Sequence, residues 1–267
     1  MALLKLQTVS SLNRIEDANP YSGLPVVGLG MTARILYLNK ERVIKVAKTY
    51  AASNFPGKDS SYVESINNQH RETLKHERSI TCRRLGDRKG IIPCFKASEY
   101  GIELAFAKQG DLEKYIKTNP EPHESLKTEW ILILINALSF IHSRRVFVDE
   151  IALRNILVAN GQLKFCDFGQ SYLLPLTADV DTICENDLTA KIEILHLGWV
   201  IYSIAVWDVH KYYYFDCEDP QWPSPEELPA TDHLFWGTII QKCWNGDYVS
   251  MIAVNEAAQA LKEKAGA

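Results

Sequence analysis

The run NILVANGQLKF, Asn155 to Phe165, constrains this chain more than any other stretch. Two short apolar runs flank Ala159, Asn160 and Gly161, and Asn-Gly is a favoured pair for a tight hairpin because both residues tolerate a positive φ. A hairpin here sends Asn155, entering the first strand, and Asp167, leaving the second, towards the same end. An amide oxygen and a carboxylate converging there make a hard, oxygen-only site, of the kind that holds Mg²⁺ together with nucleotide phosphates. The plainer alternative is that Asn155 caps a turn and the Asp-Phe-Gly at 167–169 is coincidence.

The rest of the chain supplies a setting for that hairpin. GLPVVGLG, MTARILYLN and ERVIKVAKTY alternate β-branched runs with Gly, Asn and charged turns, which predicts consecutive antiparallel strands. AASNFPGKDSSYVESINNQ reads as a loop by composition, and HRETLKHERSITCRRLG as a charged helix stopped by Gly86. GIIPCFKASEYGIELAFA is again strand-like. Trp130, Leu134, Leu138 and Ile141 then mark one face of a helix, as do Ile194, Leu197, Ile201 and Ile204 of a later one. Residues 1 to about 20 show no sustained pattern and read as an extension, and DPQWPSPEELPATD reads as an irregular surface loop. Strands dominate first and helices second, with the changeover near LAFAKQGDL.

Composition removes several function classes. With 267 residues and 46% hydrophobic content the chain can bury a substantial core. A formal charge of −4 offers no general attraction to nucleic acid or anionic lipid. The apolar stretches WILILINALSFI and LGWVIYSIAVW fall short of the roughly 20 residues that span a bilayer, so neither is expected to be a membrane segment. The six cysteines (Cys82, Cys94, Cys166, Cys184, Cys217, Cys243) contain no C-x-x-C pair, and nothing resembles a secretory leader. Reduced thiols and a cytoplasmic or nuclear location are therefore expected.

Taken together, these motifs resemble the eukaryotic protein kinase family. EIALRN, 150–155, stands where H-R-D-L-x-x-x-N has its last six positions, and DFG follows at the expected distance. GLGMTARI matches G-x-G-x-x-G-x-V with Gly28, Gly30 and Ile35 in place and Ala33 for the third glycine. VIK at 43–45 matches the strand lysine motif, GIELAFAKQGDL the strand, hinge and G-D-L, KIEILHLGWVIYSI the D-x-W-S-x-G helix, and IIQKCWNGDY the late C-W element. DEIALRN with KCWxGxY looks like divergent kinase-like proteins of filamentous fungi.

The resemblance implies an α+β, bilobal fold: a small antiparallel sheet lobe with one main helix over residues 23–104, a hinge at 105–107 and a mainly helical lobe over 108–267, after an extension at 1–22. It also implies ATP and Mg²⁺ as ligands and a protein as phosphoacceptor or partner. Gly28 and Gly30 would let the backbone close over phosphates. Lys45 would contact the α- and β-phosphates, held by Glu77; Lys48 and Glu72 are the rivals for these places. Leu104 would be the gatekeeper, Ala105 and Ala107 would meet the adenine edge, and Val43 and Leu157, with Ile35 nearby, would sandwich its faces. Asn155 and Asp167 would hold the metal.

Departures from the pattern carry as much information. Counting back from Asn155, Glu150 occupies the catalytic Asp position, Asp149 the Arg position and Val148 the His position. Glu150 keeps a carboxylate that can accept a hydroxyl proton, on a longer arm; a misplacement of about 1 Å can cost roughly 100-fold. Asp149 is the alternative carboxylate if the loop has slipped by one residue. Glu193 stands where the family has an Asp that binds this loop. Without the loop Arg, Thr177, Thr182 and Thr189 are weak candidates for a phosphorylation switch, and no A-P-E follows. Three readings stay open: an attenuated protein kinase, a pseudokinase scaffold that binds nucleotide, and a small-molecule kinase of the aminoglycoside phosphotransferase type.

Overall fold

The computed structural model describes residues 20–266, so most of the expected extension at 1–22 lies outside the described residues. Strands β1 (Val26–Leu29), β2 (Ala33–Tyr37), β3 (Arg42–Ala47), β4 (Cys94–Ala97) and β5 (Ile102–Ala105) form one antiparallel sheet in the order β1-β2-β3-β5-β4. The two-residue period of β3 sorts its side chains by face. Ile44 and Val46 pack with Leu36 on one side, whereas Val43 packs with Leu74, Ile92, Ile102 and Leu104 on the other. Lys45 shares the second face and lies between Ile35 and Ile102 in register.

Helix α1 (Ser60–Arg78) crosses that second face and corrects one sequence expectation. It begins at Ser60, inside the segment read as a loop, where the Asp59 side chain accepts from Tyr62 N at 2.8 Å. Its buried stripe is Val63, Asn67, His70, Leu74 and Glu77, a helical spacing in which three members are polar. Asn67 is buried because its amide brackets the Tyr50 backbone, at 2.8 Å and 3.0 Å, and His70 Nδ1 lies 3.0 Å from the Lys48 carbonyl. The helix therefore docks partly through hydrogen bonds, which a hydrophobic period does not register. It runs on through a π-helical turn, Ser79–Leu85, and ends at Gly86 with φ 65°.

A second correction concerns the cysteines. Cys82 in the π-helical turn is disulfide-bonded to Cys94 in β4, with their Cα atoms 5.5 Å apart, while Cys166, Cys184, Cys217 and Cys243 are free. No motif announces the pair, since only the fold brings positions 82 and 94 together. The expectation of six reduced thiols fails at these two.

The large lobe is built on α2 (Leu112–Thr118), α3 (Glu124–Ser143), α4 (Ala190–Val206), α5 (Gly237–Trp244) and α6 (Met251–Gly266). Trp130, Leu134, Leu138 and Ile141 of α3 are buried, as are Ile194, Leu197, Ile201 and Ile204 of α4. Helix α4 is covered on nearly every side, so it can carry the polar Glu193 and His196 inside the lobe. Among the described residues no helix is long and apolar enough to cross a membrane. The expected hairpin is β7 (Ile156–Ala159) and β8 (Gln162–Phe165), turning at Asn160 and Gly161 with φ 52° and 75°. Two-residue strands β6 (Val146–Phe147) and β9 (Tyr172–Leu173) pair alongside. Thr189 caps α4 through its side chain, and Thr177 and Thr182 are exposed. DPQWPSPEELPATD is irregular apart from a 3₁₀ turn at Pro225–Glu227.

Candidate functional site

A cleft of about 530 Å³ lies between the lobes. Gly28, Gly30, Ile35 and Val43 roof it, Leu157 floors it, and Leu104, Ala105 and Ala107 close its back. Lys45, Glu77, Asn155, Asp167 and Glu150 gather at its inner end. The roof is tight at one glycine: a Cβ on Gly28 would lie 3.1 Å from Ile35 Cγ1. At the back the Ala105 N–H is taken by the Pro93 carbonyl and the Ala107 carbonyl by the Gly110 N–H.

Lys45 is the electrostatic centre. Its Nζ stands 2.6 Å from Glu77 Oε2 and 2.6 Å from Asp167 Oδ1. Burial alone would push the ammonium down, but the charges of Glu77 and Asp167 more than offset it and hold Lys45 above the ordinary lysine range. Burial pushes Glu77 up, and Lys45 works against that push. The rivals lie elsewhere. Lys48 falls beyond the end of β3, and Glu72 pairs with Lys75 on the exposed side of α1 at 3.2 Å.

Glu193 organises the loop below. This fully buried carboxylate accepts from Val148 N at 2.5 Å and Asp149 N at 2.9 Å through Oε1, while Oε2 lies 2.7 Å from His142 Nε2. Three donors on one buried carboxylate satisfy it and fix two consecutive backbone amides of the loop. Glu150 then projects into the cleft, where Asn155 Nδ2 donates to its carbonyl at 3.1 Å and to Oε2 at 3.0 Å. Arg154, in the 3₁₀ turn Leu153–Asn155, pairs with Glu150 Oε1.

Asp149 faces away from the cleft. With φ 69° it turns its Oδ1 to the Tyr213 hydroxyl at 3.1 Å. Burial, with Glu193 adding its charge, pushes the Asp149 carboxyl up against the pull of that hydrogen bond. Burial and Asp149 push the Tyr213 phenol up to about 12, so Tyr213 is the donor. Neither Tyr213 nor the Arg154 pair was visible in the sequence. Tyr213 is 64 positions from Asp149, and the i,i+4 spacing of Glu150 and Arg154 is a signal only on a helix, which residues 150–152 do not form.

His196, one turn beyond Glu193 on α4, accepts from Tyr214 N at 2.9 Å and stacks on Tyr213 with ring centroids 5.3 Å apart. Burial pushes its pKa down to about 3, so the folded protein holds it neutral. Below about pH 6.5 the unfolded chain takes up a proton here that the folded one refuses, so stability falls as pH falls. The expected slope is about 1.4 kcal/mol per pH unit from this residue. Urea unfolding between pH 7 and 5 should show a shallower decline in His196→Gln than in the parent.

Among the described residues no group of three or more His, Cys, Asp or Glu is placed to form a metal centre. The inner end of the cleft instead offers one amide, Asn155, and one carboxylate, Asp167, whose side chain is about half exposed at 49%. Such a set fits Mg²⁺, which keeps part of its water and binds through a few protein oxygens plus phosphates. It does not fit a metal that requires a complete protein cage.

Comparison with known proteins gives a consistent assignment. A family model described as "Protein kinase domain" matches residues 39–192, more than half of the chain. NUAK family SNF1-like kinase 2 of Homo sapiens is 32% identical over 101 residues, covering 38% of this chain and 16% of that protein. CBL-interacting protein kinase 31 of Oryza sativa subsp. japonica is 31% identical over 110 residues, 39% of this chain and 24% of that protein. An Aurora kinase of Schizosaccharomyces pombe is 28% identical over 116 residues, 39% of this chain and 32% of that protein. The chain thus spans a third or less of the length of these relatives.

Proposed function

The chain belongs to the protein kinase family, and from that premise we propose that it binds ATP with Mg²⁺ and transfers the γ-phosphoryl group to a protein hydroxyl. The observation that carries this reading is the Lys45 ammonium held between Glu77 and Asp167 at 2.6 Å each, facing the cleft that Asn155 also lines. Phosphoryl transfer asks for positioning and charge neutralisation more than covalent chemistry from the protein. Lys45 would neutralise phosphate oxygens, with Glu77 fixing the direction of its arm. Asn155 and Asp167 would hold Mg²⁺, which when bound offsets the remaining phosphate charge. Val43 and Leu157 would bury the faces of the base, and Gly28 and Gly30 would bring the β1–β2 turn down on the phosphates.

Glu150 would orient the acceptor hydroxyl and take its proton. It projects into the cleft, whereas Asp149 is committed to Tyr213. A second reading rests on the same residue. Both Arg154 and Asn155 engage the Glu150 carboxylate, which occupies the oxygens that would receive the acceptor's proton and favours a nucleotide-binding scaffold with little turnover.

Thermal-shift and calorimetric titration with ATP, in Mg²⁺ and in chelator, tests the shared core of both readings. ATP should bind at least tenfold more tightly with Mg²⁺, and Asp167→Asn should remove most of that difference while leaving chelator-state binding nearly unchanged. Equal affinity with and without metal would dismiss the Asn155–Asp167 site. Phosphate transfer from labelled ATP to a generic protein substrate then separates enzyme from scaffold.

A further inference from the structure

We propose that Cys82 and Cys94 form a thiol–disulfide switch that governs how firmly Glu77 is presented to Lys45. Cys82 lies in the π-helical turn that continues α1 without a break, five residues beyond Glu77. Cys94 opens β4, directly opposite Leu104 of β5 in register. Both cysteines pack against the cluster of Val43, Leu74, Ile92, Ile102 and Leu104, of which Val43, Ile92 and Leu104 line the cleft. The bond therefore ties the helix that carries Glu77 to the sheet that carries Lys45, immediately behind the site where the two side chains meet.

The coupling follows from what the ion pair requires. Glu77 is only 2% exposed, and its charge is supported by Lys45 and a hydrogen bond from the Phe168 backbone, so a displacement of the helix end would leave it desolvated and without its cation. The other ties at this end are non-covalent: Arg78 Nη1 donates to the Ser98 carbonyl at 2.8 Å, Arg144 Nε to the Arg84 carbonyl at 3.0 Å, His76 Nε2 lies 2.6 Å from the Ser171 carbonyl, and Ile80 and Leu85 are buried in the large core. A π-helical turn is rare and is often found at functional sites. The crosslink adds a covalent tie from this segment to the sheet, where the other contacts can slide.

Both cysteines are half-buried, so a small thiol can reach them. A thiolate of the glutathione class attacks one sulfur, the other leaves as thiolate, and a mixed disulfide forms. A second thiol resolves it, giving two protein thiols and one small disulfide for two electrons, and a small disulfide reverses the sequence. Pairs of this sort in reducing compartments are more often sensing than structural. The nucleotide part of the test below rests on the proposed function; the exchange part does not.

Alkylation of the unfolded protein followed by mass spectrometry should find four free thiols after treatment with glutathione disulfide and six after dithiothreitol. Amide hydrogen exchange across residues 70–85 should then be at least tenfold faster in the reduced protein, and the affinity for Mg-ATP three- to tenfold weaker. A Cys82→Ser, Cys94→Ser double variant should behave as the reduced protein under both treatments, with circular dichroism reporting an intact fold. Six free thiols after glutathione disulfide would remove the switch. So would equal exchange in the two states, which would leave the bond as a staple with no reach to Glu77. Redox-dependent exchange without nucleotide binding in either state would sustain the switch and overturn the nucleotide reading.

Discussion

Replacing Lys45 with methionine is expected to cost about 3–5 kcal/mol of folding stability and to abolish measurable binding of Mg-ATP. Methionine keeps most of the side chain's length and packing, so the loss is electrostatic. Asp167 is half exposed and can turn to water, but Glu77 cannot. An uncompensated carboxylate at 2% exposure must stay charged at high cost or take up a proton. With Lys45 gone, burial holds the Glu77 pKa above its unfolded value, so the variant should gain stability as pH falls towards that unfolded value and lose it as pH rises. Urea unfolding at pH 5 and pH 8 measures the difference. Adding Glu77→Gln should restore much of the stability and none of the nucleotide affinity, which separates the structural part of the pair from the binding part. Full stability in Lys45→Met alone would mean that the buried pair contributes nothing.

The second large effect is expected at Glu150. Glu150→Gln should lower phosphoryl transfer by about 10²–10⁴-fold, the usual range for loss of a positioned base, with the affinity for Mg-ATP unchanged within about twofold. Glutamine still offers an oxygen to Asn155 Nδ2, so loop geometry should survive. Asp149→Asn should do far less, because its carboxylate faces Tyr213 and an amide oxygen can accept the same hydrogen bond. Turnover equal to wild type in Glu150→Gln would take that residue out of the reaction. The reverse pattern, with Asp149→Asn inactive, would identify Asp149 as the acceptor-orienting carboxylate. If wild type itself transfers no phosphate while binding Mg-ATP, the scaffold reading stands.

Much of this architecture could be read from the chain, and the reasons differ by element. The β7–β8 hairpin was legible because Asn160 and Gly161 carry the left-handed backbone that such a turn demands. Helices α3 and α4 were legible because Trp130, Leu138, Ile194 and Ile201 bury themselves at a helical period. The start of α1 was not, because in the stretch from Ser60 to Gln69 the buried residues are Val63 and the polar Asn67, too few apolar positions to mark a face. Hydrophobic patterning detects burial by transfer free energy and is blind to burial by hydrogen bond. The pairing of Lys45 with Glu77 was what the resemblance to the kinase family implied, and the fold brings the two side chains to 2.6 Å. The Cys82–Cys94 bond and the Asp149–Tyr213 contact join positions with no local relation, so only the closed fold brings them together.

The three hydrogen bonds received by Glu193 also set how far residue 150 reaches. The family places an aspartate here and another at position 150, and this chain has a glutamate at both. Glu193 reaches two consecutive loop amides and His142 at once. An aspartate on the same backbone would stop about 1.5 Å short, one carbon–carbon bond, and would forfeit part of that set unless the loop descended towards α4. Such a descent would draw residue 150 back from the cleft, where its own longer arm then makes up the reach. Both lengthenings thus carry the residue-150 carboxylate the same way, outward into the cleft, so shortening either draws it back by about one bond length and shortening both by about two. Positions 150 and 193 act as one reach divided between two side chains.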